Sequence, residues 1–261
     1  MKKKALSIFM ILFFTLITVK HGYPCSGAAH IDENKTIVWI NYDRSEVSEA
    51  SFEDISPFGI RIMGFGWRKS KPGGMPHISQ GINKHSLAII TFSAPDDSAV
   101  ASARDWLMKF KTVDEALRTI EGKPSYLSFR QFKILADQRK VALIEGYSPK
   151  EYKIIVLENG YLSHTNHYTF PELSHYNAKL AKNPKQIEFS ETRLKIVDHF
   201  LNAIPDKTVD SFKKLSALKD ICRKTTIASI VFVILHNDEK PRIIYRLPQS
   251  QSNTDWREVG F

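Results

Sequence analysis

Cysteine is nearly absent from this sequence, which contains only Cys25 and Cys222. Scaffolds that depend on several disulfides are rich in cysteine, so that class of small secreted domain is excluded. A single disulfide between the two cysteines remains an open alternative. Cys222 is distant in sequence from Cys25 and lies in a helix-like segment, which is not typical of a disulfide-stabilised fold. We therefore predict that Cys25 does not form a disulfide.

The motifs of several common enzyme classes are missing as well. There is no G-x-x-x-x-G-K-[ST], G-x-S-x-G, H-E-x-x-H or C-x-x-C sequence, which argues against P-loop, serine hydrolase and zinc chemistry. His164 and His167 have a spacing that could ligate a metal from one helical turn, but no third ligand lies near them in sequence. We predict neither a metal nor a cofactor.

Clusters of basic residues interleaved with aromatic residues are also lacking. The formal charge of the chain is +9, but four lysines lie in residues 1–24, and the remainder carries +5. An excess of this size without a basic face is typical of a solvated surface. The sequence therefore does not predict a nucleic-acid partner.

The amino terminus has the pattern of a secretory leader. Basic residues in Met1–Lys4 precede an apolar stretch, Ala5–Val19, which is shorter than the ~20 residues of a membrane-spanning helix. The residues before Cys25 are not the small residues that lipoprotein processing needs. We expect export to the periplasm or the extracellular space, without a stable membrane anchor.

The sequence is compatible with two positions at which the leader could be cleaved. Cleavage after Pro24, or self-removal of a short propeptide by Cys25, would leave a single domain of residues 25–261. The best pair of small residues for a signal peptidase is Ser26 and Ala28, and cleavage there would discard Cys25.

Extended and helical patterns alternate along the rest of the chain. Runs rich in β-branched or aromatic residues predict strands: Thr36–Asn41, Phe58–Met63, Leu87–Phe92, Phe132–Leu135, Val141–Ile144, Tyr152–Leu157, Ile227–Leu235 and Arg242–Tyr245. Ile227–Leu235 is apolar throughout and is expected to be covered on both faces. A loop is predicted over Lys69–Gly81.

Four helices are predicted between these strands. They are Asp97–Phe110, a helix capped by Thr112 that ends near Gly122, Glu191–Ala203 capped by Ser190, and a short helix from Thr208 through Leu218. Hairpin strands with segregated helices indicate an α+β fold.

Cys25 becomes chemically distinctive if it is the first residue of the mature chain. Its thiol would then share a residue with a free α-amine, a base with an ordinary pKa of about 8, and the residue could activate itself. A carboxylate at Asp43 could hold that amine, although an Asx turn at the end of a strand explains Asp43 equally well.

Two further residues fit the same chemistry. The amide of Asn166 is a neutral donor that could stabilise an oxyanion, while the alternative is a turn asparagine that bonds its own backbone. Arg193 is expected near the start of its helix, where a cation opposes the helix dipole. It should therefore have a partner, and Asp43 is one candidate.

The order of short motifs along the chain resembles the N-terminal-nucleophile (Ntn) cysteine hydrolase superfamily. The matching segments are Cys25-Ser26, Asn41-Tyr42-Asp43, Gly81–Ala88, Ile134–Asp137, His164–Tyr168, Ser190 with Arg193, and Thr226–Ser229. The His164–Tyr168 and Thr226–Ser229 segments are most similar to the penicillin acyltransferase and carcinine hydrolase branch, which is related to choloylglycine hydrolases and penicillin V acylases.

This resemblance implies an αββα sandwich of two stacked antiparallel sheets. It also implies that Cys25 is the nucleophile, Asp43 its amine contact, Asn166 the oxyanion donor and Arg193 a cation in the surrounding polar network. Ser93 and Asn41 are weaker candidates for contacts to the substrate or the oxyanion.

The implied activity is cleavage of a linear N-acyl amide, a small-molecule substrate, through a thioester by an exported, self-processing amidohydrolase or acyltransferase. The chain has Ile40 where choloylglycine hydrolases carry an arginine, and Ser93 where they carry asparagine or tyrosine. A secreted protein of the same fold with an impaired site, which binds a ligand or partner, is therefore the alternative.

Overall fold

The structure is a computed structural model that describes residues 25–43, 50–66, 77–96, 102–127, 130–237, 239–248 and 255–261. The predicted leader, residues 1–24, lies outside these ranges. So do residues 97–101 of the first predicted helix and most of the predicted loop Lys69–Gly81.

Two antiparallel sheets form the centre of the protein. The six-stranded sheet has the order β10-β1-β2-β11-β12-β13 and the seven-stranded sheet runs from β3 to β9 in sequence order. The strands are β1 Ser26–Ile31, β2 Lys35–Asp43, β3 Ser51–Ile55, β4 Ile62–Gly66, β5 Gln80–Asn83, β6 Ala88–Ser93, β7 Gln131–Ala136, β8 Val141–Ser148, β9 Glu151–Leu157, β10 Gly160–His164, β11 Thr226–Leu235, β12 Arg242–Arg246 and β13 Arg257–Gly260.

Five α-helices occur in the described part of the chain. They are α1 Ala103–Lys109, α2 Val113–Gly122, α3 Pro171–Leu180, α4 Pro184–Ala203 and α5 Val209–Ala217.

Three apolar clusters define the layers. One cluster fills the space between the sheets, with Val38 of β2 and Ile134 of β7 among its members. A second lies between the seven-stranded sheet and helices α1 and α2, and a third lies between the six-stranded sheet and helices α4 and α5. Each sheet therefore has one face on the other sheet and one face on helices. The predicted α+β, αββα sandwich is confirmed.

The strand predictions hold best where the apolar pattern is strongest. β11 is buried along nearly its whole length, as expected for a strand covered on both faces. The predicted strand Phe58–Met63 is wrong at its start. Residues Pro57–Gly59 form a 3-10 turn in which Phe58 has a φ of 51°, so the strand begins only at Ile62.

The loop prediction is also too long at its end. Gln80 and Gly81 already belong to β5. Gly81 has a physical reason to be glycine, because a Cβ there would lie 2.9 Å from the side chains of Ile78 and Leu107.

Two helix starts are confirmed, and one is wrong. The side chains of Thr112 and Thr208 accept hydrogen bonds from the first turns of α2 and α5. Ser190 is not a cap, because α4 begins six residues earlier, at Pro184, with Asn183 as its N-cap. Arg193 consequently lies in the middle of a 20-residue helix, and its position does not oppose the helix dipole.

The central strands of the six-stranded sheet meet at one end. Because β1 pairs antiparallel with both β2 and β10, the start of β1 lies beside the ends of those strands, with Ser26 opposite Asn41 and Gly27 opposite His164. The start of β11 reaches the same end, where Thr226 is opposite Asp43. None of the helices in the described ranges is both long and apolar enough to cross a membrane.

Candidate active site

Cys25 lies directly before β1, at the end of the sheet where four strands meet. Its side chain is only 3% exposed, and its thiol donates a weak hydrogen bond to the backbone carbonyl of Asp43, with Sγ and O 3.9 Å apart. Cys25 and Cys222 are both thiols and are not bridged, as predicted for Cys25. The nucleophile candidate therefore sits against the last residue of β2.

Asp43 is fully buried, and its two carboxylate oxygens have different surroundings. Oδ1 accepts a short hydrogen bond from the hydroxyl of Thr226, whereas Oδ2 has no hydrogen-bond partner within the described residues. Burial raises the pKa of Asp43 from its ordinary 3.8 to about 7, against the opposing effects of Thr226, Arg193 and Arg223. A positive charge near Oδ2 would favour the ionised form.

Arg193 connects the other candidates. From the middle of α4 it donates from Nε to the Ser26 hydroxyl (3.1 Å) and from Nη2 to Oδ1 of Asn166 (3.3 Å). A third bond goes from Nη1 to the carbonyl of Phe189. The side chain is 4% exposed, and burial lowers its pKa to about 10, while the nearby Asp43 and Cys25 raise it. Arg193 therefore keeps its positive charge. The negative charge of Asp43 raises the pKa of Arg193 by electrostatic attraction, and the described hydrogen bonds of Arg193 go to other residues.

Asn166 is held on three sides. Its backbone N–H donates to the hydroxyl of Ser190 (2.8 Å), and its Nδ2 donates to the carbonyl of Ser93 (3.0 Å). Since Arg193 can only donate, the atom facing it must be Oδ1, which fixes the orientation of the amide. One N–H of the amide is used by Ser93, and the second has no acceptor among the described residues.

The weaker candidates take other positions. Ser93 belongs to the site through its backbone carbonyl. Asn41 donates from Nδ2 to the carbonyls of Ser216 and Ile221 on the helical side of the sheet. Its NH2 group is thus occupied by the segment around α5, while its Oδ1 has no hydrogen-bond partner among the described residues. The structure brings Cys25, Asp43, Asn166 and Arg193 together. Asn41 instead holds the segment around α5 and has a structural role.

Three hydroxyl groups support the site, and the sequence analysis assigned none of them these contacts. Ser26 meets Arg193, Ser190 meets the backbone of Asn166, and Thr226 meets Asp43. Each lies in one of the short family-like motifs, but only its neighbours in space reveal its partner. Ser190 is a buried helix-interior hydroxyl that bonds outward to another segment.

The two histidines of the His164–Tyr168 segment have separate environments. His164 bonds Glu145, and His167 bonds the hydroxyls of Thr165 and Ser190 through Nδ1. Within the described ranges, no three His, Cys, Asp or Glu side chains are grouped as metal ligands.

A model of the family described as acyl-coenzyme A:6-aminopenicillanic acid acyl-transferase matches residues 68–250. The matched span includes Ser93, Asn166 and Arg193 and begins after Cys25 and Asp43. A search of curated proteins gave no significant match.

Solved structures share the fold at low sequence identity. A single-residue variant of conjugated bile acid hydrolase from Clostridium perfringens superposes with a TM-score of 0.62 at 12% identity, over 90% of this chain and 92% of that one. The Caenorhabditis elegans ortholog of N-acylethanolamine-hydrolyzing acid amidase gives a TM-score of 0.52 at 13% identity, over 91% of this chain and all of the other.

Proposed function

Because the chain belongs to the acyl-coenzyme A:6-aminopenicillanic acid acyl-transferase family, we propose that it cleaves a linear N-acyl amide through a thioester on Cys25. The acyl group then passes to water or to a second amine, so the protein acts as an amidohydrolase or an acyltransferase. One solved neighbour is named as a conjugated bile acid hydrolase and the other as an N-acylethanolamine-hydrolyzing acid amidase, and these names support this substrate class.

The observation that carries the proposal is the bridge formed by Arg193. One guanidinium group bonds both Asn166 and Ser26, and Ser26 is the residue next to Cys25. This bridge links the proposed oxyanion donor to the residue that follows the proposed nucleophile. A planar guanidinium with several fixed donors is suited to this task.

The reaction begins after the bond between Pro24 and Cys25 has been broken. The Cys25 α-amine, directly or through one water, takes the thiol proton, and the thiolate attacks the substrate carbonyl carbon. The free N–H of Asn166 and backbone N–H groups stabilise the oxyanion. The C–N bond then breaks, the leaving amine takes the proton, and water or another amine cleaves the thioester.

Asp43 is proposed to hold the α-amine. Its Oδ2 is buried without a hydrogen-bond partner in the described ranges, and an ammonium or amine group is a donor of the kind that such an oxygen needs. The carboxylate would orient the amine beside the thiol. Thr226 keeps the other oxygen in place.

Export and self-processing are further parts of the proposal. The leader-like pattern of residues 1–24 supports export to the periplasm or the extracellular space, and the position of Cys25 after Pro24 supports removal of a short propeptide by Cys25 itself. Self-processing requires cleavage at this bond, whereas export is also compatible with a signal-peptidase cut after Ala28.

A ligand-binding protein with an impaired site is the second candidate. Ile40 supports it, because this side chain is fully buried in the apolar layer between the sheets and supplies no cation. Such a protein would bind an acyl amide without turning it over.

Two experiments test the main proposal. Amino-terminal sequencing of the secreted protein should give Cys25 as the first residue, whereas a chain that begins at Ala29 would contradict it. The C25S variant should lose nearly all activity on a panel of N-acyl amides and penicillin V, and a C222S variant controls for loss of a thiol elsewhere. Equal activity of C25S and the wild type would remove Cys25 from the mechanism.

A further inference from the structure

A buried pair of a carboxyl group and an imidazole lies in the apolar layer between the two sheets. Glu145 of β8 and His164 of β10 are both 0% exposed, and His164 Nε2 lies 2.9 Å from Glu145 Oε1. The imidazole is packed against the rings of Phe92 and Phe132, with centroids 5.2 and 4.6 Å away. The pair therefore joins the two sheets in a setting shielded from solvent.

Stability does not explain such a pair. Removing two charges from water costs several kcal/mol, and an apolar pair of similar volume is often as stable or more so. A buried pair in an apolar layer can instead fix one conformation of a nearby segment. Here that segment is the turn that carries Asn166.

The hydrogen-bond geometry determines where the protons are. His164 Nδ1 faces the carbonyl of Thr165 at 2.6 Å, and because a carbonyl only accepts, Nδ1 must carry a proton. Glu145 accepts from the backbone N–H of Thr169 at both oxygens and from the Thr169 hydroxyl at Oε1. Each of these contacts uses a Glu145 oxygen as an acceptor, as in a carboxylate without a proton. Nε2, which faces an ionised carboxylate, must then carry a proton too.

The pair holds both ends of the turn around Asn166. His164 binds the carbonyl of Thr165 on the side before Asn166, and Glu145 binds the backbone and side chain of Thr169 on the side after it. Asn166 lies between these two anchors along the chain. Its amide direction therefore depends on two residues that act through its neighbours.

We propose that Glu145 and His164 form a buried carboxylate–imidazolium pair that positions Asn166 for oxyanion stabilisation. The proposal rests on the proposed function in that Asn166 is taken as the oxyanion donor. Glu145 and His164 are positioning residues, since they act through the turn and not on the reacting atoms. The protons of the pair are static and take no part in the chemical steps.

The remaining groups around this turn are compatible with one buried imidazolium. Burial lowers the pKa of His167 to about 4, and the nearby His164 and Arg193 contribute to this lowering, so His167 is neutral near pH 7. The positive charge on His164 is balanced by Glu145. Arg193 binds the Asn166 side chain and is a second cation beside the turn.

Nitrogen-15 NMR of the histidine rings tests the charge state without any substrate. In the wild type, both ring nitrogens of His164 should carry a proton at neutral pH. In E145Q, a neutral amide of the same shape, His164 should keep the proton on Nδ1 and lose the one on Nε2. An unprotonated Nε2 in the wild type would overturn the ion pair, and this result does not require the variant to fold.

The positioning role has two readouts. The side-chain amide signals of Asn166 should shift in E145Q, and kcat for an N-acyl amide should fall about tenfold to hundredfold with KM changed less than about twofold. E258Q is the control, because Glu258 is a strand carboxylate of β13, at the opposite edge of the six-stranded sheet from β10, and pairs with Arg242. Unmoved Asn166 signals in a folded E145Q protein would overturn the positioning role.

The two proposals can fail separately. If the wild type cleaves no amide, the proposed function fails while the NMR measurements still decide the charge state and the positioning of Asn166. If the wild type is active and E145Q has the same kcat, the proposed function stands and the positioning role is wrong.

Discussion

Arg193 fixes the direction of the Asn166 amide, because its Nη2 donates to Asn166 Oδ1 at 3.3 Å and thereby leaves Nδ2 toward the carbonyl of Ser93. A reversed amide would place an N–H group against a cation and a carbonyl oxygen against another carbonyl oxygen. The free N–H of the amide therefore has one defined direction. Preorganised donors of this kind cost little to align during the reaction.

The R193K variant should separate charge from geometry. Lysine keeps the positive charge, but it cannot hold Ser26, Asn166 and the Phe189 carbonyl in one planar arrangement. We expect kcat for an N-acyl amide to fall about tenfold to hundredfold, equivalent to roughly 1.4–2.7 kcal/mol. Steady-state kinetics would measure this, with R139K as the control because Arg139 is mostly exposed. Similar losses in both variants would contradict a specific role for Arg193.

The S190A variant should disturb Asn166 through its backbone. The Ser190 hydroxyl accepts the Asn166 N–H at 2.8 Å, and its removal leaves that donor without its partner. We expect a loss of about 1–3 kcal/mol in the free energy of unfolding, together with a lower kcat. Urea denaturation and kinetics would measure both. S174A serves as the control, since Ser174 is exposed on α3 and its hydroxyl bonds its own helix; equal effects would show that Ser190 has no special role.

Asp43 should make the stability of the uncleaved chain depend on pH. Its pKa is raised from 3.8 to about 7 in the folded protein, so the native state binds the proton more tightly than the unfolded state does. The stabilisation is full below the unfolded pKa and is lost as pH rises through the folded pKa. At about 1.4 kcal/mol per pKa unit, the total change is roughly 4 kcal/mol.

The D43N variant checks this expectation. Urea unfolding from about pH 4 to about pH 8 should show that the wild type loses stability relative to D43N as pH rises. The bond after Pro24 must be intact in both proteins, because a new ammonium group near Asp43 would lower its pKa. Parallel stability curves would show that the Asp43 pKa is not raised.

Gly27 should tolerate no side chain. A Cβ at this position would lie 2.8 Å from the Trp39 carbonyl and 2.9 Å from the side chains of Ile90 and Phe92. Overpacking of this kind costs about 1–3 kcal/mol, and G27A should lower the thermal midpoint accordingly. In G122A, by contrast, the new Cβ would have no atom of the described residues within 4 Å apart from its chain neighbours and its own helix backbone, so its stability should be unchanged or slightly higher. Equal midpoints would contradict the tight contact.

Local patterns in the sequence were sufficient for much of the fold. The continuous apolar run of β11 and the threonine caps of α2 and α5 depend on neighbours in sequence, and their predictions are confirmed. β1 was not predicted, because its sequence SGAAHI has a low strand propensity. It forms a strand because β2 and β10 pair with it on both sides.

The contacts that support the site could not be predicted from neighbours in sequence. Ser190 precedes an apolar helical pattern and therefore suggested a cap, although Asn183-Pro184 is an equally good start signal. Its hydroxyl is instead used by Asn166, 24 positions earlier. The contact between Glu145 and His164 crosses from one sheet to the other, and only the packed layers bring these side chains together.

The meeting of β1, β2 and β11 at one end of a sheet has a consequence for how errors in folding affect this protein. A slip of one residue in the pairing of β2 with β11 would exchange the side chains that β2 places in the two apolar layers, and would also move Asp43 away from Thr226. Misregistered chains would thus lose the native core packing and the contact between Asp43 and Thr226 in the same event. Packing of the core and assembly of the proposed site therefore depend on the same strand register.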